Sequence, residues 1–488
     1  MPELSHRRRL LVLGICCMSL LLVSLDNTVL NVALPSLRRD LGASVAGLQW
    51  TIDAYTLVLA SLLMLAGSTA DRIGRRKVFR TGLVLFTLGS ALCSLAPSLG
   101  WLIVFRMVQA VGGSMLNPVA MSIITNVFTE PKARARAIGV WGGVVGISMA
   151  AGPMIGGVLV DTVGWRSIFW INLPVGLAAL LLTMRYVPES RAPRPRRVDP
   201  VGQLLVIVLL GCLTYAIIEA PDAGLTSPLI LSFAGAALAA LTGLLLYEPR
   251  RAEPLIDLRF FRSAPFSGAT MIAVSAFAAL GGFLFLNTLY LQEVRGLSAF
   301  GAGLWMLPMA LMTFLFAPLS GRLVASKGPR LPLLLAGVTM TASGLLFAAF
   351  EAEASEPLLF TGYVVFGLGF GLVNAPITNT AVSGMPRAQA GVAAAVASTS
   401  RQIGQTLGVA VIGAVLAAGV RMGGDIDGFV AASGPAWWVI TGCGVAVLLV
   451  GAATTGRWAA RTARCTAARL EAAGTASASA ANHQHRTT

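Results

Sequence analysis

GSTADRIGRRK (Gly67–Lys77) and GRLVASKGPR (Gly321–Arg330) are two versions of one loop. Each has glycines seven residues apart (Gly67 and Gly74; Gly321 and Gly328), followed by Arg75 or Arg330. Glycine permits the tight turn that such a loop needs. The glycines of the two copies are 254 residues apart. A second pair lies downstream: Gly112 then Pro118, and Gly369, Gly371 then Pro376, with the prolines 258 residues apart. Self-similarity at a fixed offset signals an internal repeat. An offset near 256 carries the first apolar run, which begins near residue 10, onto one that begins near 266.

The runs between these loops decide what kind of repeat it is. Apolar residues are 56% of the 488 and charged residues only 12%, where a soluble domain carries about 25% charge. Lipid is therefore the expected solvent. A spanning helix needs about 20 apolar residues. Spans are expected at 10–35, 46–70, 78–97, 101–127, 136–160, 165–187, 199–219, 227–247, 266–291, 300–323, 330–350, 357–383, 389–420 and 436–457. The fold class is all-α integral membrane, with fourteen transmembrane helices in two six-helix bundles plus two inserted helices. The expected divisions are a cytoplasmic N-terminus (1–9), a first bundle (10–187), linkers with the inserted helices (188–265), a second bundle (266–458) and a disordered cytoplasmic tail (459–488). The run after Arg7–Arg9 is too long for a signal peptide and reads as the first span.

Charge gives the orientation. With the N-terminus in the cytoplasm, 29 of the 36 Lys and Arg fall on cytoplasmic segments and 5 on external loops. This obeys the positive-inside rule and puts both termini in the cytoplasm. The net charge of +15 is thus topology rather than a nucleic-acid surface. The six cysteines form no CxxC or Cys/His cluster and only three histidines exist, so no metal site is expected. No extramembrane segment is large enough for a catalytic domain, and the chain is not expected to be an enzyme.

The remaining two basic residues, Arg106 and Arg401, lie inside spans, as do Asp26 and Asp53. Intramembrane ionisable groups are costly and usually functional. A rise of about 1.5 Å per residue places Asp26, Asp53 and Arg106 at similar depth, where two acids and one Arg suit proton coupling. They have no ionisable counterparts at the repeat offset, so the first half is expected to hold the proton machinery and the second an apolar substrate wall. Arg401 either holds substrate or bonds backbone carbonyls. Gln109 follows Arg106 by three residues and shares its helix face. Two repeats of this kind place a site at their interface near the midplane, reached alternately from each side.

LDNTVLNVALPSL (25–37), GSTADRIGRRK (67–77), RMVQAVGG (106–113) and GISMAAGPMIGG (146–157) resemble, in order, the signatures of the major facilitator superfamily. With fourteen spans, the match is to its drug:proton antiporters, the multidrug and antibiotic-resistance exporters. GWRSIFWINLPVG (164–176) and SRQIGQTLGVAVIG (400–413) are similar to that branch too. The resemblance implies proton-coupled efflux of a small amphiphilic compound by a monomer in a bacterial cytoplasmic membrane, with the proton as coupling ion and no other cofactor. It implies a conformational latch at Gly67, Asp71, Arg72, Gly74, Arg75 and Arg76, and an antiporter motif at Gly146, Gly152, Pro153, Gly156 and Gly157. Ala325 stands where a second Asp71 would be, so the second latch is degenerate. The resemblance also turns Arg106 and Gln109 toward a central cavity. Asn31, Tyr55, Asn287, Asn374 and Arg401 are further candidates to line it, although Asn287, Asn374 and Asn379 could instead bond neighbouring helices. Trp50 and Tyr55, near the outer end of the second span, either line the exit or, as is commoner, belong to an interfacial aromatic belt. The alternative function is a proton-coupled uptake symporter for a small polar nutrient.

Overall fold

The computed structural model describes residues 5–192, 198–251, 253–349, 355–386, 389–423 and 425–484. Its elements are helices α1 (His6–Leu41), α2 (Val45–Ile73), α3 (Arg75–Ser94), α4 (Leu99–Val127), α5 (Pro131–Thr162), α6 (Ser167–Trp170), α7 (Asn172–Tyr186), α8 (Pro200–Ala223), α9 (Pro228–Tyr247), α10 (Ala264–Leu289), α11 (Ala299–Lys327), α12 (Arg330–Ala348), α13 (Glu356–Val382), α14 (Ala390–Gly423), α15 (Asp425–Thr454) and α16 (Arg457–Gln484). Among the described residues, thirteen stretches are long and apolar enough to cross a membrane. The fourteenth expected span is α3, whose first turns carry Arg75, Arg76, Lys77 and Arg80. It packs against α4 and α7 as an integral member of its bundle.

Helix ends follow local chemistry. Ser5 caps α1 by accepting from the Arg8 N–H, and Gly42 stops it with a left-handed φ of 61°. The duplicated glycines Gly74 and Gly328 end α2 and α11 with φ of 124° and 80°. The repeat is visible in the packing. The neighbours α1·α5, α2·α4, α3·α4 and α3·α7 recur as α10·α14, α11·α13, α12·α13 and α12·α15. The two halves meet along two seams, α5 on α11 and α2 on α14. Helix α8 lies over the second seam, touching α2 and α14, and α9 packs on α8. Helix ends alternate between a basic end, where the α2–α3 and α11–α12 loops lie, and the opposite end.

Three expectations change. The expected sixth span is broken into α6 and α7 at Ile171. Helix α15 starts eleven residues before the expected 436. The tail expected to be disordered is a helix, α16: it is rich in Ala, the best helix former, and it buries Ala459, Ala463 and Leu470 along one side. Residues 485–488 and Arg387, counted among the basic-end residues, lie outside the described residues, as do 193–197 of the first linker.

Candidate functional site

The site begins with Asp26. It lies within the long apolar helix α1, and its carboxylate is fully used. Arg106 Nη1 of α4 is ion-paired with Asp26 Oδ2, with side-chain exposures of 0% and 2%. Gln109 Nε2 donates to Asp26 Oδ1 at 2.8 Å, and Asn172 Nδ2 donates to the same oxygen at 2.9 Å. Gln109 Oε1 accepts from Arg106 Nη1 at 2.8 Å. Ser90 Oγ of α3 accepts from Asn172 at 3.0 Å and itself donates to the Phe169 carbonyl at 2.9 Å. Arg106 also donates through Nε to the Thr51 carbonyl at 3.3 Å and lies over the Tyr55 ring, 4.1 Å from its centroid. Six helices of the first half, α1 to α4, α6 and α7, therefore converge on one buried ion pair. Such bonds are the strong kind, and breaking a buried pair by removing one partner costs about 3–5 kcal/mol.

Asn172 and Ser90 are members that sequence reasoning missed. Asn172 opens α7 where the sixth span breaks, so the break presents its amide to Asp26. The signal was an Asn inside an otherwise apolar run, two residues before Pro174.

Asp53 does not join the network. Its side chain is buried and neither carboxylate oxygen has a hydrogen-bond partner. Gln49 and Thr56, four before and three after it, share its face of α2. Gln49 Nε2 donates to the Val409 and Ala410 carbonyls at 3.1 and 2.7 Å, and Thr406 Oγ1 donates to Thr56 Oγ1 at 2.8 Å. Asp53 is therefore turned to the α2–α14 seam. Similar depth along the membrane did not mean the same face.

The antiporter motif wedges α5 between α1 and α11. A Cβ on Gly152 would collide with Thr28, and one on Gly156 would lie 2.9 Å from Val29. Thr28 Oγ1 also donates to the Ser148 carbonyl at 3.2 Å. On the other side, Gly157 meets Phe300, Gly146 meets Phe314, and Gly303 of α11 faces the Pro153 carbonyl. Small residues let backbones approach this closely. The seam is sealed at the opposite end by Asp161, which sequence reasoning also missed. Its carboxylate accepts from the Ala299 and Phe300 N–H groups at 3.1 and 2.9 Å, at the start of α11. Arg38 Nη1 pairs with Glu293 at 2.7 Å, and Gln292 Nε2 donates to the Val32 carbonyl at 2.9 Å. All these polar contacts between halves lie between the midplane and the opposite end.

The latch residues dock on one another and on the start of the α7–α8 linker. Asp71 pairs with Arg75 at 2.8 Å. The Glu189 carboxylate accepts the Arg76 N–H at 3.1 Å, and Arg75 N–H donates to the Ser190 carbonyl at 2.9 Å. The Glu189 carboxylate fills the space that a Cβ on Gly74 would need. Arg76 also donates to the Met184 carbonyl, Arg72 is exposed, and Gly67 packs near Pro118.

Several residues expected to line a cavity are buried in this state. Gln109 belongs to the network. Tyr55 is packed behind Arg106 near Gly113, Asn31 donates to the Asn27 carbonyl at 2.8 Å, and Asn287 accepts from Tyr363 Oη at 2.9 Å. Trp50 is half-buried and its Nε1 donates to Glu219 of α8 at 2.7 Å. Asn374 and Arg401 remain half-buried, and Asn379 is exposed.

A family model described as the Major Facilitator Superfamily matches residues 16–409. The chain belongs to the major facilitator superfamily. Within it, the chain is 40% identical over 413 residues to the Multidrug resistance protein Stp of Mycobacterium tuberculosis, covering 85% of this chain and 77% of that one. It is 39% identical over 409 residues to a Tetracenomycin C resistance and export protein of Streptomyces glaucescens, covering 83% and 75%. The fold is shared with a bacterial homologue of the lysosomal transporter Spinster, solved in an inward-facing and unoccupied conformation. That likeness has a TM-score of 0.60 at 20% identity, over 95% of this chain and 98% of that one.

Proposed function

We propose that this protein exports a drug, antibiotic or other small amphiphilic compound across a bacterial cytoplasmic membrane in exchange for protons. Relatives at 33–40% identity are named as resistance and efflux proteins, which supports the direction of transport. The positive-inside rule makes the basic end cytoplasmic, with both termini there. The state described is then sealed toward the outside.

The observation that carries the proton reading is the buried Asp26–Arg106 pair in the first half. As a carboxylate, Asp26 holds Arg106, Gln109 and Asn172 together. Protonation removes the charge that these donors bind, and so loosens α4 and α7 from α1. Thr28 and Val29 follow Asp26 by less than one turn and carry Gly152 and Gly156 of α5. Helix α5 in turn carries α11. A proton at Asp26 thereby acts on the α5–α11 seam through packed backbone rather than through a long chain of side chains. Exchange arises because a proton and a substrate favour different states of that seam. The latch loop, resting on Glu189 here, is free to engage the other half in the alternate state. An uptake symporter for a small polar nutrient is the alternative, but Asn287, one candidate polar group of the second half, is spent on Tyr363.

Expression in a drug-sensitive bacterial host tests the reading. It predicts lowered accumulation of at least one amphiphilic drug, restored by a proton uncoupler. Raised uptake of a nutrient with unchanged susceptibility to every drug would replace it with the symporter.

A further inference from the structure

Arg401 is a cation deep in the second half that, among the described residues, has no acid paired with it. It lies eleven residues into α14, roughly 17 Å from the basic end at about 1.5 Å per residue. Its Nη2 donates to Thr378 Oγ1 of α13 and its Nη1 to Ser398 Oγ at 3.4 Å. The Nε–H is buried and unpartnered. A guanidinium has five N–H donors, so more than half of this one's capacity is unused. Helices α10, α11, α12 and α14 contain no Asp or Glu. The acids of α13 and α15 (Glu356, Asp425 and Asp427) sit in their first three residues, at the opposite end. Asp26 is occupied by Arg106. Asp53 faces the part of α14 around Thr406, which is turned well round the helix axis from Arg401.

Beside the cation stands Phe277 of α10, half-buried, with its ring centroid 6.0 Å from Arg401 Cζ. Phe277 in turn packs edge-on against Phe370 at 5.2 Å. On α13, Asn374 and the exposed Thr378 stand one turn apart on the same side. The result is a guanidinium with free donors at the head of an aromatic wall. Holding an unpaired charge within a membrane is costly. Among the described residues no acid is ion-paired with Arg401, so an acidic group of the substrate would supply its counter-charge, and Arg suits planar, bidentate recognition of such a group.

We infer that Arg401 and Phe277 form a subsite for an anionic aromatic compound, its acidic oxygens on the guanidinium and its ring against Phe277. This rests on the efflux reading, and narrows the exported class to acids and away from cations. The first half supplies no competing cation, since Arg106 is neutralised where it stands.

The test uses the purified full-length protein in detergent, without any gradient, and two aromatic probes of similar size: fluorescein, an anion, and ethidium, a cation. Wild type is expected to bind fluorescein at least tenfold more tightly than ethidium. Arg401→Gln should abolish that preference and Arg401→Lys should retain most of it, which separates loss of charge from misfolding. Equal affinity for the two probes in wild type, no measurable fluorescein binding, or an unchanged preference in Arg401→Gln would overturn the inference. Because binding is read without a gradient, it stands apart from proton coupling. Arg401-dependent fluorescein binding without pH-driven transport of the dye would sink the efflux reading and leave the anion subsite in place.

Discussion

Asn172 Nδ2 lies 2.9 Å from Asp26 Oδ1, which ties the break between α6 and α7 to the carboxylate of α1. A broken helix elsewhere in a membrane would leave backbone groups to be satisfied. Here the break aims a side-chain donor at the network. Asn172→Leu removes one hydrogen bond to a charged group, a loss of about 1.5–3 kcal/mol. The variant should unfold at lower temperature in detergent and transport more slowly, and Asn172→Gln should recover part of both. A wild-type Tm and wild-type transport in Asn172→Leu would remove Asn172 from the network.

Asp161 closes the α5–α11 seam at the end opposite the basic one by accepting two N–H groups at the start of α11. Caps of this kind contribute about 0.5–2 kcal/mol. Asp161→Ala should therefore favour the outward-open state by roughly a few-fold to 30-fold. A membrane-impermeant maleimide applied from outside to Ser298→Cys should label faster in the Asp161→Ala background. Equal labelling rates would show that the cap does not hold the gate.

Arg38 and Glu293 lie nearby but are about a quarter exposed, at 27% and 22%. Exposed pairs are worth about 0–1 kcal/mol. Arg38→Gln should change the same labelling rate by less than Asp161→Ala does. The reverse order would make the ion pair, not the cap, the principal closure.

Gly74 combines a φ of 124° with the Glu189 carboxylate packed against its Cα. Gly74→Ala faces both backbone strain of about 1–3 kcal/mol and a collision with Glu189. Lower thermal stability and slower transport are expected, whereas Arg72→Ala at the exposed neighbour should leave the Tm unchanged. Identical stability of Gly74→Ala and wild type would show that the α2–α3 loop is free of the α7–α8 linker.

The spans, the duplicated loop and the Asp26–Arg106 pair were legible because each breaks or repeats a strong apolar background. A charge in an apolar run is conspicuous by itself. Which face it occupies is not: Asp53 shares the depth of Asp26 yet points at α14, and only the spacing of Gln49, Asp53 and Thr56 hints at that. Asn172 and Trp50 were ambiguous because one polar atom in an apolar run fits packing, belt or site equally well until its partner is known. Both partners, Asp26 and Glu219, are more than 140 residues away in sequence. The Ala-rich tail reads as low complexity, but alanine also favours the helix that forms there.

The central claim is that proton exchange works through Asp26. Inverted membrane vesicles acidified inside provide the direct measurement, with fluorescein accumulation as the readout and an uncoupler as control. Wild type should accumulate the dye and lose it when the gradient collapses. Asp26→Asn should fail to accumulate it under the same gradient while still binding it in detergent. Gradient-driven accumulation by Asp26→Asn at the wild-type level would contradict the account.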